Sequence, residues 1–306
     1  MELGVRVGSV GLSAPVMTAS GPAGHGAELA AFGDLSVLGA HVVKSLAAFE
    51  WAGNPAPRVA PTTAGMINAV GLQGPGVSAW LRDDLPGLEA TGAAIVVSIW
   101  GRGVEDYRRA AELLAAAPPS VVAVEVNLSC PNLEGRRGIF AHDPELSAQV
   151  MRATSGCGRP RWAKLSPNTD RIVEVAGAVA DAGAESVTLV NTLLGIVIDT
   201  DTGRPALGAG GGGASGIGIH PVAVRAVHDV RAAHPDLAIV GVGGVATGRG
   251  AAELLLAGAN AVQVGTATFA DPHAPWTIQD ELIDWERRRG IDRLADVCGA
   301  AHRGGL

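Results

Sequence analysis

The stretch AIVGVGGVATGRGAAELLLAGANAVQVGTA, residues 238–267, decides how this chain folds. Residues 238–244 (AIVGVGG) form a short apolar run that ends on two glycines, and residues 261–267 (AVQVGTA) form a second. Each is too short for a typical helix and reads as a strand buried on both faces. Between them Thr247 is placed as an N-cap, residues 247–258 read as helix, and Gly258 supplies the stop.

The same alternation extends outward in both directions. Strands are expected at 16–20 (VMTAS), 37–45 (VLGAHVVKS), 93–100 (AAIVVSIW), 123–129 (AVEVNLS), 161–166 (RWAKLS) and 186–192 (SVTLVNT). Helices are expected at 103–117, at 170–183 with a stop at Gly183, and at 220–233 with Pro221 in the first turn. Eight β-then-α units without a composition break predict an α/β chain folded as a closed (β/α)8 TIM barrel, one domain over residues 1–306. An open doubly wound sheet would want a glycine-patterned turn after its first strand, and SGPAGHG (20–26) lacks that pattern. The opening MELGVRVGSVGLSAP alternates apolar and small residues and predicts a short N-terminal hairpin. Residues 46–78 and 193–219 are too long for simple connections. They are expected to be irregular insertions on the C-terminal face, where barrel enzymes build their sites.

Composition narrows the function. Apolar residues make up 47% of the chain and charged ones 17%, enough to fill a large core. The formal charge of −7, with no basic tract and 4% aromatic residues, disfavours nucleic acid and anionic membranes. No apolar run approaches the roughly 20 residues needed to span a bilayer, and no signal peptide is read, so a cytoplasmic location is expected. Cys130, Cys157 and Cys298 form no metal-ligand spacing, and no protein-held metal is expected.

Polar residues collect where the strands end. They are Ser20, Lys44 with Ser45, Ser98, Asn127 with Cys130, Lys164, Asn191 with Thr192, Gly243 with Gly244, and Gly265 with Thr266. In a core such groups would be costly; around a polar ligand they are useful. The last two sites, Gly243 with Gly244 and Gly265 with Thr266, together with a helix starting at Thr247, read as a phosphate cradle, against the plainer reading of glycines for tight turns. Lys44 and Lys164 each end an apolar strand. A single such lysine ordinarily snorkels to solvent, but two at one rim can hold cofactor oxygens or offset developing negative charge. Asn68, Asn127, Asn132 and Asn191 suit a small ligand with alternating N–H and C=O edges; for any one of them a turn residue is the better reading, less naturally so for Asn127 and Asn191, which sit inside strand runs. Cys130 has an inert buried cysteine as its default reading. Its place on a rim loop, without a neighbouring histidine, favours a general base over a nucleophile.

With these residues in hand, the segments NAVGLQGPG (68–76), NLSCPN (127–132), KLSPN (164–168), VNTLLGIVIDTDTGRP (190–205), GVGGV (241–245) and LAGANAVQVGTATF (256–269) resemble the dihydroorotate dehydrogenases. The resemblance covers nearly the whole chain, with the motifs in order. Cysteine in SCPN is similar to the soluble class 1 enzymes. GNPAPR (53–58) and FADPHAPWTI (269–278) are most similar to the class 1B catalytic subunit. The resemblance implies oxidation of dihydroorotate to orotate in pyrimidine biosynthesis, on FMN held by Ser20, Lys44, Ser45, Ser98, Asn127, Lys164, Val190, Gly216, Gly243, Gly244, Gly265 and Thr266. It implies a substrate site of Lys44, Asn68, Ala69, Val70, Gly71, Leu72, Asn127, Asn191 and Thr192, with Cys130 taking the substrate proton. It further implies a homodimer within a heterotetramer, whose second subunit carries FAD and a [2Fe-2S] cluster and passes electrons to NAD. Alternatives are a class 1A enzyme using fumarate, a relative acting on another dihydropyrimidine, and a flavoprotein subunit without catalysis. The chain departs from the usual pattern at Ser98, Trp100, Arg136, Arg137 and His220, and in SGPAGHG (20–26).

Overall fold

The computed structural model describes residues 3–129 and 138–306. Cys130, Asn132, Arg136 and Arg137 lie outside the described residues.

Eight parallel strands follow one another around a barrel: β1 (Val16–Thr18), β2 (His41–Leu46), β3 (Ile95–Ile99), β4 (Val121–Asn127), β5 (Arg161–Lys164), β6 (Ser186–Leu189), β7 (Ala238–Val242) and β8 (Ala261–Val264). Between β1 and β2 the ring closes through a bridge from Met17 to Ala40, with Thr18 N–H donating to Ala40 O at 3.2 Å. The backbones come very close at Gly39, where a Cβ would overlap the Ala14 carbonyl and whose N–H donates to Val16 O at 2.7 Å. The strands are buried on both faces, which accounts for their continuous apolar runs. Each expected strand is present. Seven of the eight stop one to three residues before the expected end, and the residues beyond them form the rim.

Outside the strands lie α1 (Val77–Asp83), α2 (Leu85–Glu89), α3 (Val104–Leu114), α4 (Pro144–Ala153), α5 (Ile172–Asp181), α6 (His220–Ala233), α7 (Gly248–Ala257), α8 (Ala267–Ala270) and α9 (Ala274–Arg287). The buried set Tyr107, Ala110, Ala111 and Leu114 gives α3 a 3.6-residue inner face. Asp143 caps α4 by accepting from Glu145 and Leu146 N–H, and Pro144 starts its first turn. The first β-then-α unit departs from expectation. Only two 3-10 turns, Glu28–Ala31 and Leu35–Val37, follow β1, since Gly33, Asp34 and Gly39 interrupt any longer helix.

The expected N-terminal hairpin pairs Val5–Val7 with Val10–Leu12 and packs against β7 and β8 with Val5, Val7, Val10 and Leu12 buried. The two insertions are more regular than expected. Val59–Thr62 and Gly65–Asn68 form a hairpin, and Leu193–Gly195 and Gly212–Ser215 join it in a four-stranded antiparallel sheet over the C-terminal rim.

Candidate active site

A cavity of about 420 Å3 opens at the C-terminal rim, between the barrel mouth and that sheet. Its size falls within the range of cofactor and small-molecule sites, roughly 300–1,000 Å3. Ser20, Lys44, Ser45, Asn127, Lys164, Val190, Gly243, Gly244, Gly265 and Thr266 line it, as do Asn68, Ala69, Val70, Gly71, Leu72, Asn191 and Thr192. The structure therefore brings both expected groups of residues around one cavity.

Two expected contacts stand behind that wall. Ser98 is fully buried on β3, its hydroxyl 2.9 Å from Ser45 Oγ, so it braces Ser45 instead of facing the cavity. Gly216 is also off the wall. Its carbonyl packs under Gly244, where a Cβ would come within 2.8 Å of it, and the neighbouring Ser215 takes the wall position.

Asn127, at the end of β4, is the hub. Its Nδ2 donates to Ser45 Oγ at 3.1 Å, and its Oδ1 accepts from Ser129 N–H at 3.2 Å and Asn191 Nδ2 at 3.3 Å. Its carbonyl accepts a 2.6 Å bond from the buried Tyr107 hydroxyl, which ties the rim to α3. Asn168 performs the same service one strand along, and sequence reading gave it no role. It donates to Thr192 O at 2.9 Å and accepts from Leu194 N–H at 2.8 Å, fixing the start of the second insertion. Its place in KLSPN was the available signal.

The turns expected to cradle an anion are arranged differently from expectation. The start of α7 is already satisfied: Gly248 N–H donates to Glu281 Oε2 at 2.6 Å, and Gly250 N–H to Thr247 Oγ1 at 3.1 Å. Thr247 does not reach the cavity. What faces it is the pair of turns at Gly243–Gly244 and Gly265–Thr266, with Thr266 Oγ1 donating to Ser215 Oγ at 2.8 Å. His220 holds the first turn through Nδ1, 2.9 Å from Gly243 O, and reaches Glu253 with Nε2 at 3.2 Å.

Beneath the cavity the barrel interior is polar. Glu125 Oε2 accepts from Gln263 Nε2 at 2.9 Å and Thr188 Oγ1 at 3.2 Å. Lys164 Nζ lies 3.6 Å from Glu125 Oε1, 3.4 Å from Gln263 Oε1 and 3.5 Å from Ser20 Oγ. Sequence reading passed over Glu125, Thr188 and Gln263. The signal was a carboxylate and an amide inside apolar strands, two residues before the rim residues Asn127 and Gly265 and hence on the same face.

Around the rim, Trp100 packs edge-on against Phe49 and Trp51, and Arg102 stacks over Phe49 at 4.3 Å. Trp51 Nε1 donates to Gly71 O at 2.9 Å, so this cluster supports the 68–72 loop from outside the cavity. His25 lies beside Lys44. Burial above all, and then the lysine charge, push its pKa down to about 4, against the pull of Glu28.

Among the described residues no three His, Cys, Asp or Glu side chains gather as a metal site, and no helix is long and apolar enough to cross a membrane.

The sequence profile of the family described as "Dihydroorotate dehydrogenase" matches residues 2–285. A protein of Desulforudis audaxviator, named "Dihydroorotate dehydrogenase B (NAD(+)), catalytic subunit", is 44% identical over 306 residues, covering 100% of this chain and 99% of that one. Proteins of the same name from Geotalea uraniireducens and Alkaliphilus oremlandii are 41% and 42% identical, each over 98% of its own length. Among solved structures, that of the Eimeria tenella enzyme DHODH in complex with ferulenol superposes with a TM-score of 0.79 at 20% identity. It covers 99% of this chain and 89% of its own, and supports the fold.

Proposed function

Since the chain belongs to the dihydroorotate dehydrogenase family, we propose that the rim cavity binds FMN together with dihydroorotate and that Cys130 is the base of the reaction. The chain is an oxidoreductase that converts dihydroorotate to orotate. The observation that carries the site reading is the convergence of Lys44, Lys164, Asn127 and the two glycine turns on one cavity.

The wall suits FMN. Gly243 and Gly244 adopt φ of +135° and +66°, and the resulting turn, with Gly265 and Thr266, leaves room for a phosphate against backbone and hydroxyl groups. Lys44, Lys164, Ser20 and Asn127 offer charge and donors for ring and ribityl oxygens. Ser129 Oγ is buried beside the same cavity with no hydrogen-bond partner among the described residues, a position suited to a polar ligand atom.

FMN, when bound, supplies the acceptor for the substrate hydride. The chain does the rest. Asn127, Asn191, Thr192 and the 68–72 loop supply donors and acceptors for the ring edges of dihydroorotate, and Lys44 offers its charge to the carboxylate. Cys130, next in sequence after the cavity-lining Ser129, removes the C5 proton, while the sheet formed by the two insertions excludes water. Cys130→Ala is expected to retain yellow FMN and to lose flavin reduction by dihydroorotate by a factor of about 10²–10⁴. Undiminished reduction in stopped-flow would overturn the base assignment, and turnover of dihydrouracil in place of dihydroorotate would overturn the substrate.

The relatives' name, catalytic subunit, implies a partner subunit. We infer a partner that carries FAD and a [2Fe-2S] cluster and delivers electrons to NAD. The surface supports a docking face at the cavity mouth. Val59, Leu194 and Phe269 line the cavity yet remain 52%, 65% and 61% exposed.

A further inference from the structure

We propose that Glu125, which touches neither ligand, is a positioning residue that holds the Lys164 ammonium against the flavin site. The inference rests on the FMN reading above and deepens it.

Glu125 is 0% exposed, in the middle of β4 and inside the barrel. A lone buried carboxylate is costly, and natural cores retain one only when it is paired or put to use. One oxygen, Oε2, is held by Gln263 Nε2 at 2.9 Å and Thr188 Oγ1 at 3.2 Å. The other, Oε1, accepts no hydrogen bond among the described residues and faces Lys164 Nζ at 3.6 Å. Gln263 closes the ring, since its Oε1 lies 3.4 Å from the same ammonium. β4, β5, β6 and β8 thus each contribute one side chain to a unit that fixes the height of Nζ in the barrel. Lys164 is the only one of the four on the cavity wall.

Counter-charge below and ligand above is a geometry for presenting a cation. A long lysine stem left to itself has rotamer freedom to lose; the carboxylate removes that freedom before the ligand arrives. An ammonium held on the wall favours the electron-rich reduced ring over the oxidised one, so it raises the flavin potential.

The sign of one substitution separates this role from a direct field effect. If the Glu125 charge acted on the ring itself, Glu125→Gln would raise the flavin potential, with or without Lys164. If Glu125 acts through Lys164, the potential falls and FMN Kd rises roughly tenfold. The same change in a Lys164→Met background then alters neither quantity, because the two side chains work as one.

The test is FMN titration of apoprotein and spectroelectrochemical potential for the wild type, E125Q, K164M and the double variant. A potential that rises with E125Q in both backgrounds, or an E125Q protein with wild-type Kd and potential, overturns the proposal. Should E125Q not fold, Gln263→Leu removes the bridging amide and is expected to move both readings the same way by less, again only when Lys164 is present. An unchanged Q263L then counts against the proposal. A wild-type chain that takes up no FMN overturns the flavin reading itself and this inference with it, whereas a flavin-loaded wild type beside an unaffected E125Q overturns the inference alone.

Discussion

Gly244 sits in the left-handed region at φ +66°, where a side chain costs on the order of 1 kcal/mol even with space around it. There is no space: a Cβ would stand 2.8 Å from the Gly216 carbonyl and 2.9 Å from His220 N, both backbone atoms that cannot swing aside. Gly244→Ala must therefore shift the turn that faces the proposed phosphate, while the buried strand β7 before it stays as it is. An FMN Kd raised by about tenfold or more is expected, with far-ultraviolet circular dichroism unchanged. A variant that binds FMN as the wild type does would show that this turn does not touch the cofactor. Ser98 teaches the opposite lesson at the same scale. A polar residue near a strand end reads as a ligand contact, yet its hydroxyl serves Ser45, and only the inward or outward pointing of neighbouring side chains distinguishes the two.

The two insertions meet as elements, Gly65–Asn68 against Gly212–Ser215, in a register that sets Asn68 opposite Gly213. Asn68 Nδ2 donates to Gly213 O at 3.2 Å, and a Cβ on Gly213 would overlap the Thr192 hydroxyl. The glycine thus lets a strand lie directly over a proposed substrate residue. Gly213→Val is expected to raise KM for dihydroorotate at least about tenfold, since small misplacements of positioning groups are costly, with Tm within a few degrees of wild type. A steady-state assay with KM unchanged would separate this sheet from substrate binding. How far sequence could see follows from the same elements. β3, β4 and β7 were legible because continuous apolar runs report burial locally. The insertion strands were not, because they are half-exposed and glycine-rich, and the pairing that joins the two insertions, Asn68 with Gly213, spans 145 residues; nothing local sets that register. The α7 start misled for a similar reason: the carboxylate that occupies its first N–H, Glu281, comes from α9. Of the site, the rim residues were legible from where the strands end. The Glu125–Gln263 layer below them was not, since a polar residue in an apolar strand has no meaning until its partners are seen.

Across the whole molecule, stability responds to acid through two buried histidines, one in the barrel and one at its rim. His41 opens β2 with both ring nitrogens buried and without hydrogen-bond partners among the described residues, and burial pushes its pKa down to about 4, against the upward pull of Glu28. The unfolded chain, with an imidazole near 6.5, takes up its proton first on acidification. The His41 contribution to stability is therefore complete above about pH 6.5, is lost as pH falls from there to about 4, and changes no further below that. Over that window one such group amounts to about 3 kcal/mol. His25 shifts in the same direction from beside Lys44, so the barrel and its rim weaken together. His41→Leu fills the same buried position without a proton to gain, and His25 is common to both proteins and cancels in the comparison. Near pH 7.5 the two are expected to melt alike. By about pH 4.5 the variant should melt roughly 5 °C or more above the wild type. Parallel Tm curves across that range would show that His41 does not titrate with unfolding, and the acid sensitivity would then belong to the carboxylates.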